Sequence, residues 1–325
     1  MKSRGQGSGV SDQGVLGRRA FLERAGVITA AVGFGRLPRL ARAKLGPIGI
    51  QLYTVRRELA KDVEGTLAKL AAIGYREVEF AGYPEGTAKS LRAILDRLHL
   101  RAPSGHVGTQ ALRTDWARTL EQAATVGQQY VVVAFIPQEE RRTADDWKRM
   151  AAAFNRAGEA AKAAGLQFCY HNHDFEFPPL EGAVPYDLLL SSADPKLVQL
   201  ELDLYWITKA GRDPLDYFAK WPGRFPLVHV KDMDATPNKF FADVGKGTID
   251  FRRIFRRAGQ AGIKHYFYEQ DETPGSPFDS AKASYEPIDF TDFTGPQISQ
   301  IAHSEINASK RSGRGRGGCD AHGTP

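Results

Sequence analysis

From Pro47 onward, short β-branched segments alternate with longer segments rich in Ala, Leu, Arg and Lys. Strands that are each followed by a helix are typical of a parallel sheet, because the chain needs a crossover to return to the same edge. The pattern predicts eight strands, at residues 48–53, 77–80, 100–106, 130–135, 166–173, 198–204, 227–231 and 266–270. Apolar residues at three-to-four spacing predict helices between them, most clearly at 62–72, 88–98, 112–126, 144–164 and 251–261.

Eight βα units that repeat roughly every 30 residues fit a closed (β/α)₈ TIM barrel, an α/β fold of about 250 residues. The alternative is an open doubly wound sheet, which usually carries a Gly-rich phosphate-binding turn directly after its first strand. The first predicted strand has no such turn, because the sequence continues with Thr54-Val55-Arg56. We therefore expect a single-domain TIM barrel over residues 44–285.

Seven of the eight predicted strands carry a polar or ionisable side chain near their C-terminal end. Such groups are costly inside an apolar barrel unless they are paired or bind a metal ion. Because TIM-barrel chemistry takes place at this end of the strands, the sequence predicts a site at the barrel mouth. The candidate residues are Gln51, Glu79, His106, His171, Asp203, His229 and Glu269.

Four of these residues come from the fifth to eighth strands, which are neighbours in a barrel: His171, Asp203, His229 and Glu269. Two imidazoles and two carboxylates around one point form a reasonable site for one divalent metal ion. Mixed nitrogen and oxygen ligands suit Mn²⁺, Co²⁺, Zn²⁺ or Fe²⁺ better than Ca²⁺. We favour Mn²⁺ or Zn²⁺ as the cofactor, and Mg²⁺ is a further candidate.

Longer motifs around these residues resemble the xylose isomerase-like TIM-barrel superfamily and, more narrowly, the bacterial sugar phosphate isomerase/epimerase family. The resemblance extends from residue 47 to about residue 284. The motifs are specific for the superfamily and only weakly specific for a substrate. They are Gly49–Arg56, Gly74–Phe80, Tyr170–Phe177, Glu201–Trp206, Ala210–Pro214, Val228–Asp232, Gly245–Phe251 and Tyr268–Asp271.

This resemblance implies one divalent metal ion held by Glu, Asp, His and Glu from strands five to eight. Asp203, His229 and Glu269 match the last three ligands, whereas His171 stands where many members have Glu. In the family's epimerases, the Glu residues of strands five and eight move a proton between the two faces of the substrate, and only Glu269 remains here. A second departure is Pro287, which predicts that the closing helix of the barrel is short or missing.

The resemblance implies a metal-dependent sugar isomerase or epimerase that acts on a small ketose, keto-sugar or polyol through a metal-stabilised enediolate. We assign Glu269 as metal ligand and general base, and His173, Lys231 and Glu79 as the other catalytic residues. Glu176 is a further candidate base. The predicted substrate-binding residues are Gln51, His106, Trp206 and Tyr53.

Three alternatives to an isomerase remain open. A dehydratase or lyase of the inosose dehydratase type would remove a β-hydroxyl group after the same proton abstraction. A sugar-binding barrel without catalysis would tolerate the loss of the strand-five Glu. An endonuclease-like phosphodiesterase shares the barrel, but it needs a His three residues after Asp203, where this chain has Trp206.

Residues 1–43 are predicted to form a twin-arginine export signal. They contain the Arg18-Arg19 pair, a weakly apolar run from Ala25 to Phe34 and a small-residue site at 41–43. This segment has eight basic and two acidic residues, so it accounts for the whole formal charge of +6 and weakens any argument for nucleic-acid binding. We expect a periplasmic or otherwise exported enzyme.

Residues 286–325 lack helical periodicity and end in a Gly/Arg-rich run, which predicts a disordered tail. The sequence contains no stretch of about 18 apolar residues, so we expect no stable membrane insertion. The expected partner is a small carbohydrate, with no nucleic acid, and formation of a homo-oligomer stays open.

Overall fold

The computed structural model describes residues 48–84 and 86–285, so the predicted export signal and tail lie outside the described residues. In the described part, strand Ile48–Gln51 pairs in parallel with both Glu77–Ala81 and His265–Tyr268, which closes an eight-stranded barrel. The predicted TIM barrel and its eight strands are confirmed. The strands are β1 (Ile48–Gln51), β2 (Glu77–Ala81), β3 (Arg101–Val107), β4 (Tyr130–Val133), β5 (Gln167–His171), β6 (Val198–Asp203), β7 (Leu227–Val230) and β8 (His265–Tyr268).

Helices connect the strands, and none of those described is both long and apolar enough to cross a membrane. The predicted helix 112–126 is divided at Asp115, whose φ of −157° is not helical. The closing helix is present and spans Pro277–Tyr285 within the described residues. The helices are Arg56–Leu59, Val63–Ile73, Ala88–Arg97, Ala111–Thr114, Trp116–Val126, Ala144–Ala163, Pro185–Ser192, Leu204–Lys209, Pro214–Lys220, Phe251–Phe255, Ala258–Ala261 and Pro277–Tyr285.

Local sequence explains where the main helices begin and end. Thr143 and Asp146 form a capping box at the start of the longest helix, satisfying backbone N–H groups that have no partner within the helix. Gly74 ends helix Val63–Ile73 with φ +130°, and a Cβ atom there would lie 2.4 Å from the ring of Tyr285. Both the backbone conformation and the close approach of the last helix therefore require Gly at this position.

An apolar floor lies inside the barrel below the predicted site. It consists of a separate buried cluster that includes Cys169 of β5, Leu227 of β7 and Phe267 of β8. Because alternate residues of a strand share a face, the residues two positions further along point the same way. Those residues are polar in every case: His171, His229 and Glu269.

A hairpin follows β7 and is formed by the antiparallel pairs of Asp232–Met233 with Phe241–Ala242. The buried carboxylate of Asp232 accepts backbone N–H groups from three residues between 245 and 249, which holds the returning loop in place. The ring centroid of Phe241 lies 6.1 Å from that of Trp206. This loop therefore supports an aromatic side chain of the predicted site.

Candidate metal and active site

Strand register brings the candidate side chains of strands five to eight next to one another. His171 of β5 is paired with Glu201 of β6, and Asp203 of β6 is paired with His229 of β7. Glu269 directly follows β8, which pairs with β7 on the other side. The residues predicted from strand ends therefore converge on one part of the barrel mouth.

The four predicted metal ligands form what we call the outer group: His171, Asp203, His229 and Glu269. Nδ1 of His229 lies 2.9 Å from Oε2 of Glu269 and 3.8 Å from Oδ2 of Asp203. Nε2 of His171 lies 4.0 Å from the same oxygen of Asp203. All four side chains are buried. Donor atoms of Asp203, His229 and Glu269 therefore converge, whereas the donor atom of His171 groups with those of His106, Glu201 and His229.

The outer group offers a donor set that fits a divalent cation. Within the described residues, Oδ2 of Asp203 is buried and accepts no hydrogen bond, and Nζ of Lys231 at 3.2 Å is the cationic group beside it. A buried carboxylate oxygen with free acceptor capacity is a suitable ligand for a further cation. Burial also raises the pKa of Asp203 to about 6, and a bound cation would lower it again. Two imidazole nitrogens and two carboxylates suit Zn²⁺ or Mn²⁺. Metal binding by these residues stays a prediction.

Lys231 lies beside the outer group and is almost completely buried. Its Nζ is 3.2 Å from Oδ2 of Asp203, 2.7 Å from Oε2 of Glu269 and 2.8 Å from Oδ1 of Asp271. Burial alone would lower the pKa of Lys231, but these three carboxylates raise it well above its usual value. The side chain therefore carries a positive charge next to two of the predicted metal ligands.

A second layer, which we call the inner group, consists of Glu79, His106 and Glu201. Oε2 of Glu201 lies 2.6 Å from Nε2 of His106, 3.1 Å from Nδ1 of His171 and 3.2 Å from Nε2 of His229. Oε2 of Glu79 lies 2.7 Å from Nε2 of His229. The inner carboxylates therefore contact the nitrogens of His171 and His229 that face away from the outer group.

Burial and neighbouring charges shift the pKa values of the inner group in opposite directions. Burial raises the pKa of Glu79, and the nearby Glu201 raises it further. Burial alone would also raise the pKa of Glu201, but His229 and His106 lower it well below its usual value. For His171, burial and the neighbouring His229 lower the pKa to about 3. His171 is therefore a neutral imidazole, as a metal ligand must be.

Glu201 is a residue of this site that the sequence prediction does not include. The Glu201-Leu202-Asp203 spacing places the two acidic side chains on one face of β6, and that face points into the barrel. The signal was therefore present, but it could not show that three imidazoles meet this carboxylate. Those contacts depend on strands β3, β5 and β7, which are distant in sequence.

A cavity of about 460 Å³ opens above these groups at the barrel mouth. It is lined by the predicted residues His106, His171, His173, Lys231 and Glu269, together with the aromatic side chains of Tyr53, Phe135 and Trp206. Apolar walls with a few convergent polar groups are typical of small-molecule sites. The cavity is thus large enough for a small ligand, and most of the predicted site residues line it.

His173 lies beyond the end of β5 among aromatic rings. Its ring stacks on Phe175 with centroids 5.5 Å apart and meets the rings of Phe135 and Trp206 at the same separation. Burial, with the neighbouring His171 and Lys231, lowers the pKa of His173 well below its usual value. A neutral imidazole can form hydrogen bonds with a ligand, but it is a poor proton donor at neutral pH.

Five predicted residues do not line this cavity: the metal-ligand candidates Asp203 and His229, and Gln51, Glu79 and Glu176. Gln51 is fully buried, where it donates a hydrogen bond to Oε2 of Glu79 at 2.9 Å and accepts one from the backbone N–H of Tyr53 at 3.0 Å. Glu79 is also fully buried and contacts His229 instead of the cavity. Glu176 lies behind His173, where Oε2 accepts the backbone N–H of His173 at 3.0 Å. The depth of these side chains along the strands separates them from a ligand in the cavity.

Comparison with known proteins agrees with this architecture. Residues 67–290 match the family described as Xylose isomerase-like TIM barrel. An inosose dehydratase of Lacticaseibacillus casei is 24% identical over 277 residues, which cover 72% of this chain and 92% of the relative.

Solved structures give the same fold. A sugar phosphate isomerase/epimerase of Parabacteroides distasonis is 28% identical, with a TM-score of 0.67 over 78% of this chain and 97% of that one. The protein IOLI, solved with a bound zinc atom, is 13% identical, with a TM-score of 0.61 over 77% of this chain and 99% of that one. Because the family match covers more than half of the sequence, this chain belongs to the xylose isomerase-like TIM barrel family.

Proposed function

We propose that this protein is a metal-dependent lyase that removes water from a keto-sugar or keto-cyclitol. The observation that carries the proposal concerns the carboxylates of the cavity. Among the described residues that line it, these are Glu269 and Asp271, which both follow β8. The side of the cavity formed by the ends of β3 and β4 carries no carboxylate; it consists of His106, Val107, Gly108, Ala134 and Phe135.

A one-sided arrangement of carboxylates favours elimination over epimerisation. An epimerase must remove a proton from one face of a carbon and deliver one to the opposite face. An elimination needs a base on one face only, because the second bond that breaks is the C–O bond of the neighbouring carbon. The curated relatives named inosose dehydratase support the same class of reaction.

The reaction would use a single carboxylate for both proton transfers. Glu269 accepts the proton on the carbon next to the carbonyl group, and the electron pair of the C–H bond forms an enolate. The C–O bond at the next carbon then breaks, and Glu269 returns the proton to the departing hydroxyl group, which leaves as water. Lys231, whose Nζ lies 2.7 Å from Oε2 of Glu269, stabilises the negative charge that develops.

A divalent ion held by His171, Asp203, His229 and Glu269 would supply Lewis-acid polarisation of the substrate carbonyl group. Mn²⁺ or Zn²⁺ suits this set of ligands best. The aromatic residues Tyr53, Phe135 and Trp206 would pack against the C–H face of the substrate ring and exclude water from the reacting carbons.

The test is incubation of the full-length protein with Mn²⁺ and an inosose in D₂O, followed by mass spectrometry and NMR. A lyase gives a product that has lost one water. We expect Glu269→Gln to lower the rate by roughly 10²–10⁴-fold, because the proton acceptor is removed. Glu272→Gln is the matched control, since Glu272 pairs with Arg56 and does not line the cavity. Binding without turnover would contradict any catalytic role.

An isomerase or epimerase is the second candidate, and the solved relative at 28% identity with that name supports it. This enzyme would exchange deuterium into the substrate and rearrange it without loss of water. The same experiment distinguishes the two outcomes, because only elimination gives a product whose molecular mass is lower than that of the substrate by one water.

We also propose that the protein acts outside the cytoplasm after export through the twin-arginine route. The support is the sequence of residues 1–43, with Arg18-Arg19 ahead of a weakly apolar run. Export of a chain that is already folded would allow the metal ion to be inserted before the protein crosses the membrane.

A further inference from the structure

Each imidazole of the outer group has two ring nitrogens, and only one of them can face a cation. A neutral imidazole has one lone pair, so the nitrogen that carries hydrogen cannot bind a metal ion. The partner that accepts the N–H group decides which tautomer is present and how the ring is oriented. The partners of His171 and His229 therefore decide whether these residues present the correct nitrogen.

The two rings face the outer carboxylates through different nitrogens. His171 turns Nε2 towards Oδ2 of Asp203, at 4.0 Å. His229 turns Nδ1 towards Oε2 of Glu269, at 2.9 Å, and towards Asp203, at 3.8 Å. A cation in the outer group would thus meet Nε2 of one residue and Nδ1 of the other.

The opposite nitrogens both point at buried carboxylates. Nδ1 of His171 lies 3.1 Å from Oε2 of Glu201, and Nε2 of His229 lies 2.7 Å from Oε2 of Glu79 and 3.2 Å from Oε2 of Glu201. Both carboxylates are fully buried. Water therefore does not compete for these N–H groups, and each carboxyl group holds an acceptor oxygen at a fixed position.

We propose that Glu201 and Glu79 are positioning residues that select the tautomers of the metal-binding imidazoles. Glu201 holds His171 with hydrogen on Nδ1. His229 has a carboxylate at each nitrogen, Glu269 at Nδ1 and Glu79 at Nε2, so Glu79 retains the Nε2 hydrogen when a cation takes the place of the hydrogen on Nδ1. The lone pairs of Nε2 of His171 and Nδ1 of His229 are then directed at the cation. This inference rests on the proposed function, since it needs a metal ion in the outer group.

His106 contacts both carboxylates of the inner group. Its Nε2 lies 2.6 Å from Oε2 of Glu201 and 3.4 Å from Oε2 of Glu79, and its ring stacks on that of His229 with centroids 5.3 Å apart. Oε2 of Glu201 thus faces three imidazole nitrogens at once. A neutral amide in its place has one acceptor oxygen and adds two N–H donors, so it cannot satisfy the same set.

The experiment is a long-range ¹H–¹⁵N NMR spectrum of the full chain, labelled with ¹⁵N-histidine and loaded with Zn²⁺. The ¹⁵N shifts distinguish protonated, lone-pair and zinc-bound nitrogens. We expect zinc on Nε2 of His171 and on Nδ1 of His229, with hydrogen on the other nitrogen of each ring. Zinc on Nδ1 of His171 or Nε2 of His229 would overturn the inference, because the inner carboxylates would then be ligands and not hydrogen-bond acceptors.

Variants measure the size of the effect. Glu201→Gln should weaken Zn²⁺ binding by about 10–100-fold in a chelator competition, the range found for lost outer partners of metal-binding His residues. It should also remove the Nδ1–H signal of His171. Glu77→Gln is the matched control, because Glu77 is another buried Glu that contacts a His, with Oε2 at 2.9 Å from Nδ1 of His265. It should leave zinc affinity unchanged, and equal losses in both variants would contradict a positioning role.

Two further outcomes keep the inference separate from the proposed function. If the wild-type protein does not bind Zn²⁺, the metal-dependent function fails, and the tautomer of His171 in the metal-free protein still tests the inference. Hydrogen on Nδ1 supports it, and hydrogen on Nε2 overturns it. If Glu201→Gln does not fold, the nitrogen assignments of the wild-type protein decide the question alone.

Discussion

Replacing Glu176 by Gln should remove a large pH dependence from the stability of the barrel. The side chain is fully buried behind His173. Its Oε1 lies 2.6 Å from the hydroxyl of Tyr170, and its Oε2 accepts the backbone N–H of His173. Burial raises the pKa of Glu176 from 4.5 to about 8, so the native protein keeps this carboxyl group protonated at neutral pH. Gln supplies an acceptor oxygen for the backbone N–H of His173 and an N–H donor for the hydroxyl of Tyr170, and only its second N–H has no counterpart in the protonated acid.

The size and the sign of the effect follow from the two pKa values. Between pH 4.5 and about 8, the carboxyl group of Glu176 is protonated in the folded state and ionised in the unfolded state. The stability that this proton contributes is therefore complete below pH 4.5 and is lost as the pH rises through 8. At about 1.4 kcal/mol for each pKa unit, the wild-type protein should lose roughly 4 kcal/mol between pH 5 and pH 9 that Glu176→Gln does not lose.

Urea denaturation of both proteins at pH 5, 7 and 9, with a chelator present, measures this difference. Other titrating groups contribute equally to both proteins, so the comparison isolates position 176. Glu159→Gln, on the exposed face of helix Ala144–Ala163, is the control and should follow the wild-type curve. Parallel pH dependences for the wild type and Glu176→Gln would show that the buried carboxyl group ionises without cost, and the reasoning would be wrong.

Three further predictions concern the site and the N-terminal segment. Asp203→Ala and His171→Ala should each lose tightly bound metal, measured by plasma mass spectrometry, while far-ultraviolet circular dichroism shows an intact barrel. Lys231→Met should lower the free energy of unfolding of the metal-free protein by about 3–5 kcal/mol, because three carboxylates lose their buried counter-ion; urea denaturation without metal measures it, and an unchanged midpoint would contradict the pairing. Replacing Arg18-Arg19 by Lys-Lys should retain the protein in the cytoplasm, measured by cell fractionation, and normal export would exclude the twin-arginine route.

The fold could be predicted because two periodicities were clear in the sequence. Strand segments alternate with helical segments, and apolar residues recur at three-to-four spacing within the helical segments. In addition, Gly74 ends a helix just before a strand. The break at Asp115 was not predicted, because the apolar spacing continues across it and periodicity does not report a single non-helical residue. Element type therefore followed from the sequence, and the exact ends of the helices did not.

The site was only partly predictable, because spacing along a strand gives the face of a residue and not its depth. Gln51 and Glu79 share the inward face with residues that line the cavity, but they are fully buried below it. Depth depends on the stagger of neighbouring strands, which no short motif records. The role of Glu201 was missed for the same reason, since its partners lie on three other strands.

The resemblance implies Glu at the end of β5, where this chain has His171, and Glu201 offers a physical explanation of how the chain would tolerate that difference. With neutral His171, the outer group has the two carboxylates of Asp203 and Glu269, which together balance one divalent cation. Here the carboxylate of Glu201 contacts a ligand and does not bind the cation itself. It lies 3.1 Å from Nδ1 of His171, where it would raise the basicity of the imidazole. With His171 in that place, the carboxylates that line the cavity lie on one side only, which is the arrangement on which the proposed elimination rests.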